Sequence, residues 1–115
     1  MAPLDPDALD LLDTTQEVHV ATPTKRLPIW SVVLDGDAYI RSYHGRRGAW
    51  YQRALRDGRV EVEGIEARVE PERDPALNER ISDAFRAKYG ERSPGPTEGM
   101  VTPEVAATTL RLSAP

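Results

Sequence analysis

Two arginines between two glycines, in the tetrad Gly45-Arg46-Arg47-Gly48, are the residues of this chain best suited to grip an anion. A guanidinium presents several fixed N–H donors that match phosphate or carboxylate oxygens in pairs. Glycines let the backbone approach a ligand closely, and a helix expected directly after the tetrad offers unpaired N–H groups at its start. Arg41 and Ser42, at the end of the strand expected before it, add a cation and a hydroxyl. From residue 39 to 59 the chain holds six arginines (Arg41, Arg46, Arg47, Arg53, Arg56, Arg59) against one acid, Asp57. The remainder holds nine basic and eighteen acidic residues. A basic island in an acidic chain points to one anionic small-molecule ligand. The plainer alternative makes Arg46 and Arg47 solvated turn residues and pairs Arg41 with a carboxylate across the sheet.

Tyr39, Tyr43 and Tyr51 are the candidates for an aromatic wall beside that anion, Tyr39 and Tyr43 sharing the strand face opposite Ile40. A tyrosine could hand a proton to a substrate, but no second group at a recognisable spacing supports a catalytic residue. Trp30 and Trp50 read first as core, with ring stacking as the alternative. The two histidines, His19 and His44, lie on separate elements and give no paired metal ligands. No calcium-loop, dinucleotide-loop or nucleophile-elbow spacing occurs, so no metal is expected. His44, next to the basic loop, reads as a solvated loop residue, with titration near a bound anion as the alternative.

Composition limits the function classes. With 115 residues the chain makes one domain, 1–115, with one real core. A net charge of −4 argues against nucleic acid as a partner. No apolar run approaches the length that crosses a bilayer, and no basic-then-apolar leader opens the chain. Cysteine is absent, which removes disulfides, thiolate nucleophiles and cysteine metal ligands. A cytoplasmic protein with no membrane partner is expected.

The elements that must position these residues follow from periodicity and punctuation. Asp5-Pro6 opens a short helix within residues 1–15. Residues 17–22 alternate as a strand, and residues 28–34 form a second strand, apolar on nearly both faces. Asp35-Gly36 closes a tight hairpin into residues 38–43. After the basic loop a helix runs from about 49 to 56 and stops at Asp57-Gly58. Residues 59–63 and 66–70 make a hairpin around Gly64-Ile65. Asp74-Pro75 opens a long helix to Tyr89, residues 91–103 form a loop, and residues 107–112 give the last strand. The fold class is α+β: a six-stranded antiparallel split β-barrel with inserted helices. An open α+β sheet with the long helix across one face is the alternative.

The run Pro28-Ile29-Trp30-Ser31-Val32-Val33-Leu34-Asp35-Gly36-Asp37-Ala38-Tyr39-Ile40-Arg41-Ser42, followed by Gly45 and Trp50-Tyr51, resembles the flavin-binding split-barrel superfamily. More closely, and also through Ala84-Phe85-Arg86-Ala87-Lys88-Tyr89-Gly90, it resembles an uncharacterised bacterial family. That family is placed near the deazaflavin-dependent nitroreductases and the pyridoxamine-phosphate-oxidase-like proteins. The resemblance implies a homodimer binding FMN or an 8-hydroxy-5-deazaflavin coenzyme in a groove. It places the cofactor phosphate at Arg41, Ser42, Gly45, Arg46 and Arg47, and the ring near Trp30. Three functions stay open: a flavin- or deazaflavin-dependent oxidoreductase, a non-redox enzyme or binding protein for an anionic small molecule, and a module docking an acidic protein.

Overall fold

The computed structural model describes residues 2–115. The elements, in chain order, are helix α1 (Pro6–Thr14), strands β1 (Val18–Ala21), β2 (Arg26–Ile29), β3 (Ser31–Leu34) and β4 (Asp37–Ile40), a 3-10 turn (Gly45–Arg47), and helix α2 (Ala49–Asp57). There follow β5 (Arg59–Val62), β6 (Ile65–Pro71), helices α3 (Pro75–Tyr89), α4 (Pro94–Met100) and α5 (Pro103–Ala106), and β7 (Leu110–Ser113). The strands form one antiparallel sheet in the order β2-β1-β5-β6-β7-β4-β3. The sheet's two outermost strands, β2 and β3, are separated in sequence by Trp30 alone. They can be neighbours in sequence and opposite ends of the ladder only if the sheet curls round on itself. The result is a nearly closed barrel within an α+β fold.

Seven strands are present where the sequence predicts six. The run 28–34 is apolar enough for one strand, but the chain bends at Trp30, so β2 pairs with β1 and β3 pairs with β4. The backbone freed at the bend is caught by α3. Ser31 gives its N–H to the Tyr89 hydroxyl at 3.1 Å, and its carbonyl accepts from Lys88 Nζ at 2.8 Å. Tyr89 also donates to the Gln16 carbonyl at 2.6 Å, and Lys88 to the Leu12 carbonyl at 2.9 Å. Trp30 itself stacks on Tyr89, ring centroids 4.0 Å apart and planes 2° from parallel.

Local chemistry explains the other elements. Asp5 and Asp74 cap α1 and α3 by accepting from Ala8 and Leu77 N–H groups, each with proline at the first helical position. Asp35 and Gly36 both hold positive φ, 51° and 82°, as a two-residue hairpin turn requires. The second hairpin turns at Glu63 and Gly64 (φ 52° and 79°), one residue earlier than predicted. The largest departure is the predicted loop 91–103. It contains α4 and the first residue of α5. Their openings, Ser93-Pro94 and Thr102-Pro103, repeat the polar-residue-plus-proline pattern of α1 and α3, though of the two only Thr102 accepts a capping N–H, from Val105.

Alternation along the strands divides the interior in two. Val18, Val20, Ala38, Ile40, Val60, Val62 and other inward residues fill the barrel, in one cluster with Leu12, Trp50 and Tyr51 from the helices. Val32 and Tyr39 point the other way and are covered by Ile81, Phe85 and Tyr89 of α3, with Met100 and Val105 beside them. Each fully buried large apolar side chain contributes about 1.5–3 kcal/mol. No helix among the described residues is long and apolar enough to cross a membrane.

Candidate functional site

Where the barrel bend meets the basic loop, the surface opens into a cleft of ≈ 520 Å³. Leu27 and Ile29 of β2 and Trp30 at the bend form one side. Arg41, Tyr43 and His44 from the chain after β4, Trp50 from α2, and Pro96 and Met100 from α4 also line it. The shape follows from three local causes. The bend turns Trp30 out of the strand ladder, and Tyr89 holds the indole flat. Tyr43 lies across Gly99 of α4, where an added Cβ would fall 2.8 Å from the ring. Tyr43 remains 53% exposed, with its ring edge-on to His44 at 5.7 Å.

A second concavity, of ≈ 710 Å³, lies beside the first and is lined by His44, Gly45, Arg46 and Arg47, with Pro103 and Glu104 of α5 opposite. His44 borders both. The loop between them is tightly built. The Ser42 hydroxyl donates to the Gly45 carbonyl at 2.8 Å, and the Gly45 N–H returns to the Ser42 carbonyl at 2.9 Å. Gly45 sits at φ 69°, and the Ser42 hydroxyl occupies the space a side chain at Gly48 would need. Gln52, from the first turn of α2, donates to the Arg46 carbonyl at 2.8 Å. Arg46 and Arg47 thus leave a fixed backbone with exposed side chains.

The candidate residues therefore fall into separate places. Trp30 and Tyr43 line the apolar cleft; Gly45, Arg46 and Arg47 line the basic groove. Ser42 is buried, its hydroxyl spent on Gly45 and its N–H on the Thr108 hydroxyl. Arg41 is 1% exposed and does not join Arg46 and Arg47. Its Nε donates to the Thr109 hydroxyl at 2.9 Å, and Nη1 donates to the Ser82 hydroxyl at 2.9 Å and the Met100 carbonyl at 3.0 Å. Nη2 donates to the Asn78 carbonyl and side-chain oxygen at 3.1 and 3.3 Å. The guanidinium lies over the Phe85 ring at 5.1 Å, and Arg41 is among the residues that line the cleft. Burial, then repulsion from Arg86, lowers its pKa to about 10 against the opposing pull of Glu79. At neutral pH it stays charged.

Tyr39 and Tyr51 are buried in the two cores and form no ligand wall; Tyr39 lies under α3, so the face it was expected to share with Tyr43 is covered. His19 contacts Glu63 through Nδ1 at 3.3 Å, far along the chain from His44. Among the described residues no group of three histidine or carboxylate side chains could hold a metal ion. Sequence reasoning missed Pro96 and Met100 in the cleft and Pro103 and Glu104 in the groove. Pro96, Met100 and Pro103 lie in the segment 91–103 expected as a loop and Glu104 directly after it; the signals that could have found them are the pairs Ser93-Pro94 for α4 and Thr102-Pro103 for α5.

No curated protein and no solved structure matches this chain. A family model does match, across residues 8–112, and its description is "Uncharacterized protein conserved in bacteria". The chain is therefore a member of that bacterial family, DUF2255.

Proposed function

We propose that the protein binds a planar, negatively charged small molecule, ring in the Trp30–Tyr43–Trp50 cleft and anionic tail in the Arg46–Arg47 groove. The observation that carries this reading is the position of His44, which borders an apolar, aromatic-walled cleft on one side and a basic groove on the other. The cleft volume falls within the ~300–1,000 Å³ typical of ligand sites. The resemblance to flavin-binding split barrels makes FMN or an 8-hydroxy-5-deazaflavin coenzyme the first ligand to test. The residues fit such a group, with one reassignment. Arg41 and Ser42 have no free donor, so a phosphate would be held by Arg46 and Arg47. A bound flavin or deazaflavin would supply hydride chemistry, making the protein an oxidoreductase for a small organic molecule. The chain's own part is to hold the ring between aromatic walls, keep water from one face of it and fix the tail. A homodimer accompanies this proposal through the same resemblance, and a cytoplasmic location through the absence of cysteine.

An absorbance scan and thermal melts with each cofactor test it. A flavin or deazaflavin spectrum, or a higher Tm with one of the two, is expected. Replacing Arg46 and Arg47 with alanine should weaken binding by at least about tenfold, the loss expected for charge-assisted hydrogen bonds to phosphate. No spectrum and no shift with either cofactor would end the flavin reading. Glu104 favours a second reading, a non-redox binding protein or enzyme for a smaller anion. Its carboxylate faces the same groove and would repel a doubly charged phosphate tail. In that case simple aromatic carboxylates raise the Tm and both cofactors do not.

A further inference from the structure

We propose that Arg41 makes the cleft selective for ligands whose ring system itself carries negative charge, such as an aromatic carboxylate or an ionised hydroxy-heterocycle. This rests on the cleft being a binding site. All five N–H donors of Arg41 are taken, and every acceptor is neutral: two hydroxyls, two backbone carbonyls and an amide oxygen. Hydrogen bonding is therefore saturated while the charge is not cancelled. The charged groups that act on it, Arg86 and Glu79, oppose each other. A buried arginine ordinarily has a carboxylate beside it, because an uncompensated charge away from water is costly.

The place where compensation is missing is the wall of the cleft. Phe85 covers one face of the guanidinium, and the neighbouring walls are Trp30, Met100 and Tyr43, so few polar groups screen the field there. Among the cleft-lining residues the only other side chain that can carry positive charge is His44. Selection works through the field and not through a direct bond, since no N–H remains to offer. A ligand's negative group in the cleft is consequently favoured without strict demands on its angle. This differs from the Arg46–Arg47 groove, where exposed guanidiniums can form bonds and salt screens them.

Calorimetric titration with a matched pair, 2-naphthoate and its neutral isostere 2-naphthamide, tests the proposal. Arg41 is left in place, because its bonds hold α3, α4 and the residue before β7 together. The comparison uses the wild type and the variant His44→Gln/Arg46→Ala/Arg47→Ala, which removes the other cationic side chains lining the cleft and groove. The anion should bind on the order of tenfold more tightly than the amide in both proteins. In the variant that preference should survive 0.5 M salt. Equal binding of the two compounds by the variant would overturn the role given to Arg41 and leave the cleft standing as a site. Failure of both compounds to bind the wild type would overturn the cleft reading, and this proposal with it.

Discussion

Arg41 and Thr97 show two treatments of a buried polar side chain. Arg41 finds five acceptors; the Thr97 hydroxyl, on α4, finds none among the described residues. Replacing Arg41 with methionine would take from the Ser82 hydroxyl and the Met100 carbonyl the donor that satisfies them, while the Thr109 hydroxyl would keep its bond to the Ala106 carbonyl. A loss of about 1–3 kcal/mol in a urea melt is expected, the cost of leaving buried partners unsatisfied. Thr97→Val keeps the shape and removes an unpaired hydroxyl, so its urea midpoint should hold or rise; a drop would reveal a partner for that oxygen. Alternation in residues 38–43 shows in the sequence that Arg41 shares a face with Tyr39. It does not show that α3 covers that face. Covering depends on where a helix starting more than thirty residues later comes to rest, and no local periodicity encodes that. This is why Arg41 looked like a partner for Arg46 and Arg47.

The barrel strands, α1, α2 and α3 could be read from capping residues, turn glycines and apolar spacing, because each signal acts within a few residues. The bend at Trp30 could not. Its cause is remote: Tyr89 and Lys88 hold the backbone of Ser31, and Tyr89 supplies a flat surface for the indole. Tyr89→Phe keeps the stack and loses the hydroxyl. It should cost about 1–3 kcal/mol, because the Ser31 N–H and the Gln16 carbonyl lose a buried partner. A neutral result in chemical denaturation would mean the bend holds without that hydroxyl. Helix α4 escaped detection for a different reason. Two prolines and two glycines in seven residues oppose helix formation, and the segment is held by its surroundings, the Arg41 bond to Met100 and the Tyr43 ring on Gly99. Gly99→Ala should accordingly displace the Tyr43 ring and alter the cleft, seen as weaker ligand binding with little change in the rest of the fold.

At the scale of the whole molecule, the joint between α1, the bend and α3 gives stability a pH dependence. Burial lowers the Lys88 ammonium to about 8, opposed by Asp13, while the unfolded chain titrates near the ordinary 10.5. Between those values the unfolded state binds more protons, so stability should rise as pH rises from about 8 towards 10. Burial also raises the Tyr89 hydroxyl to about 12 from 10.0, so its contribution falls as pH climbs from 10 towards 12. Denaturant midpoints at pH 7.5 and 9.5 check the first statement: Lys88→Met should abolish the rise, whatever it does to stability at either pH.

The chain contains two tryptophans, and both border the same cleft. All of its indole emission therefore originates within reach of whatever occupies that space. Excited at a wavelength that spares the four tyrosines, a guest with an absorbing ring should dim the whole of that indole signal, because no third tryptophan adds a background. The molecule carries its own optical gauge of occupancy, and a quenching curve on unlabelled material would read it directly.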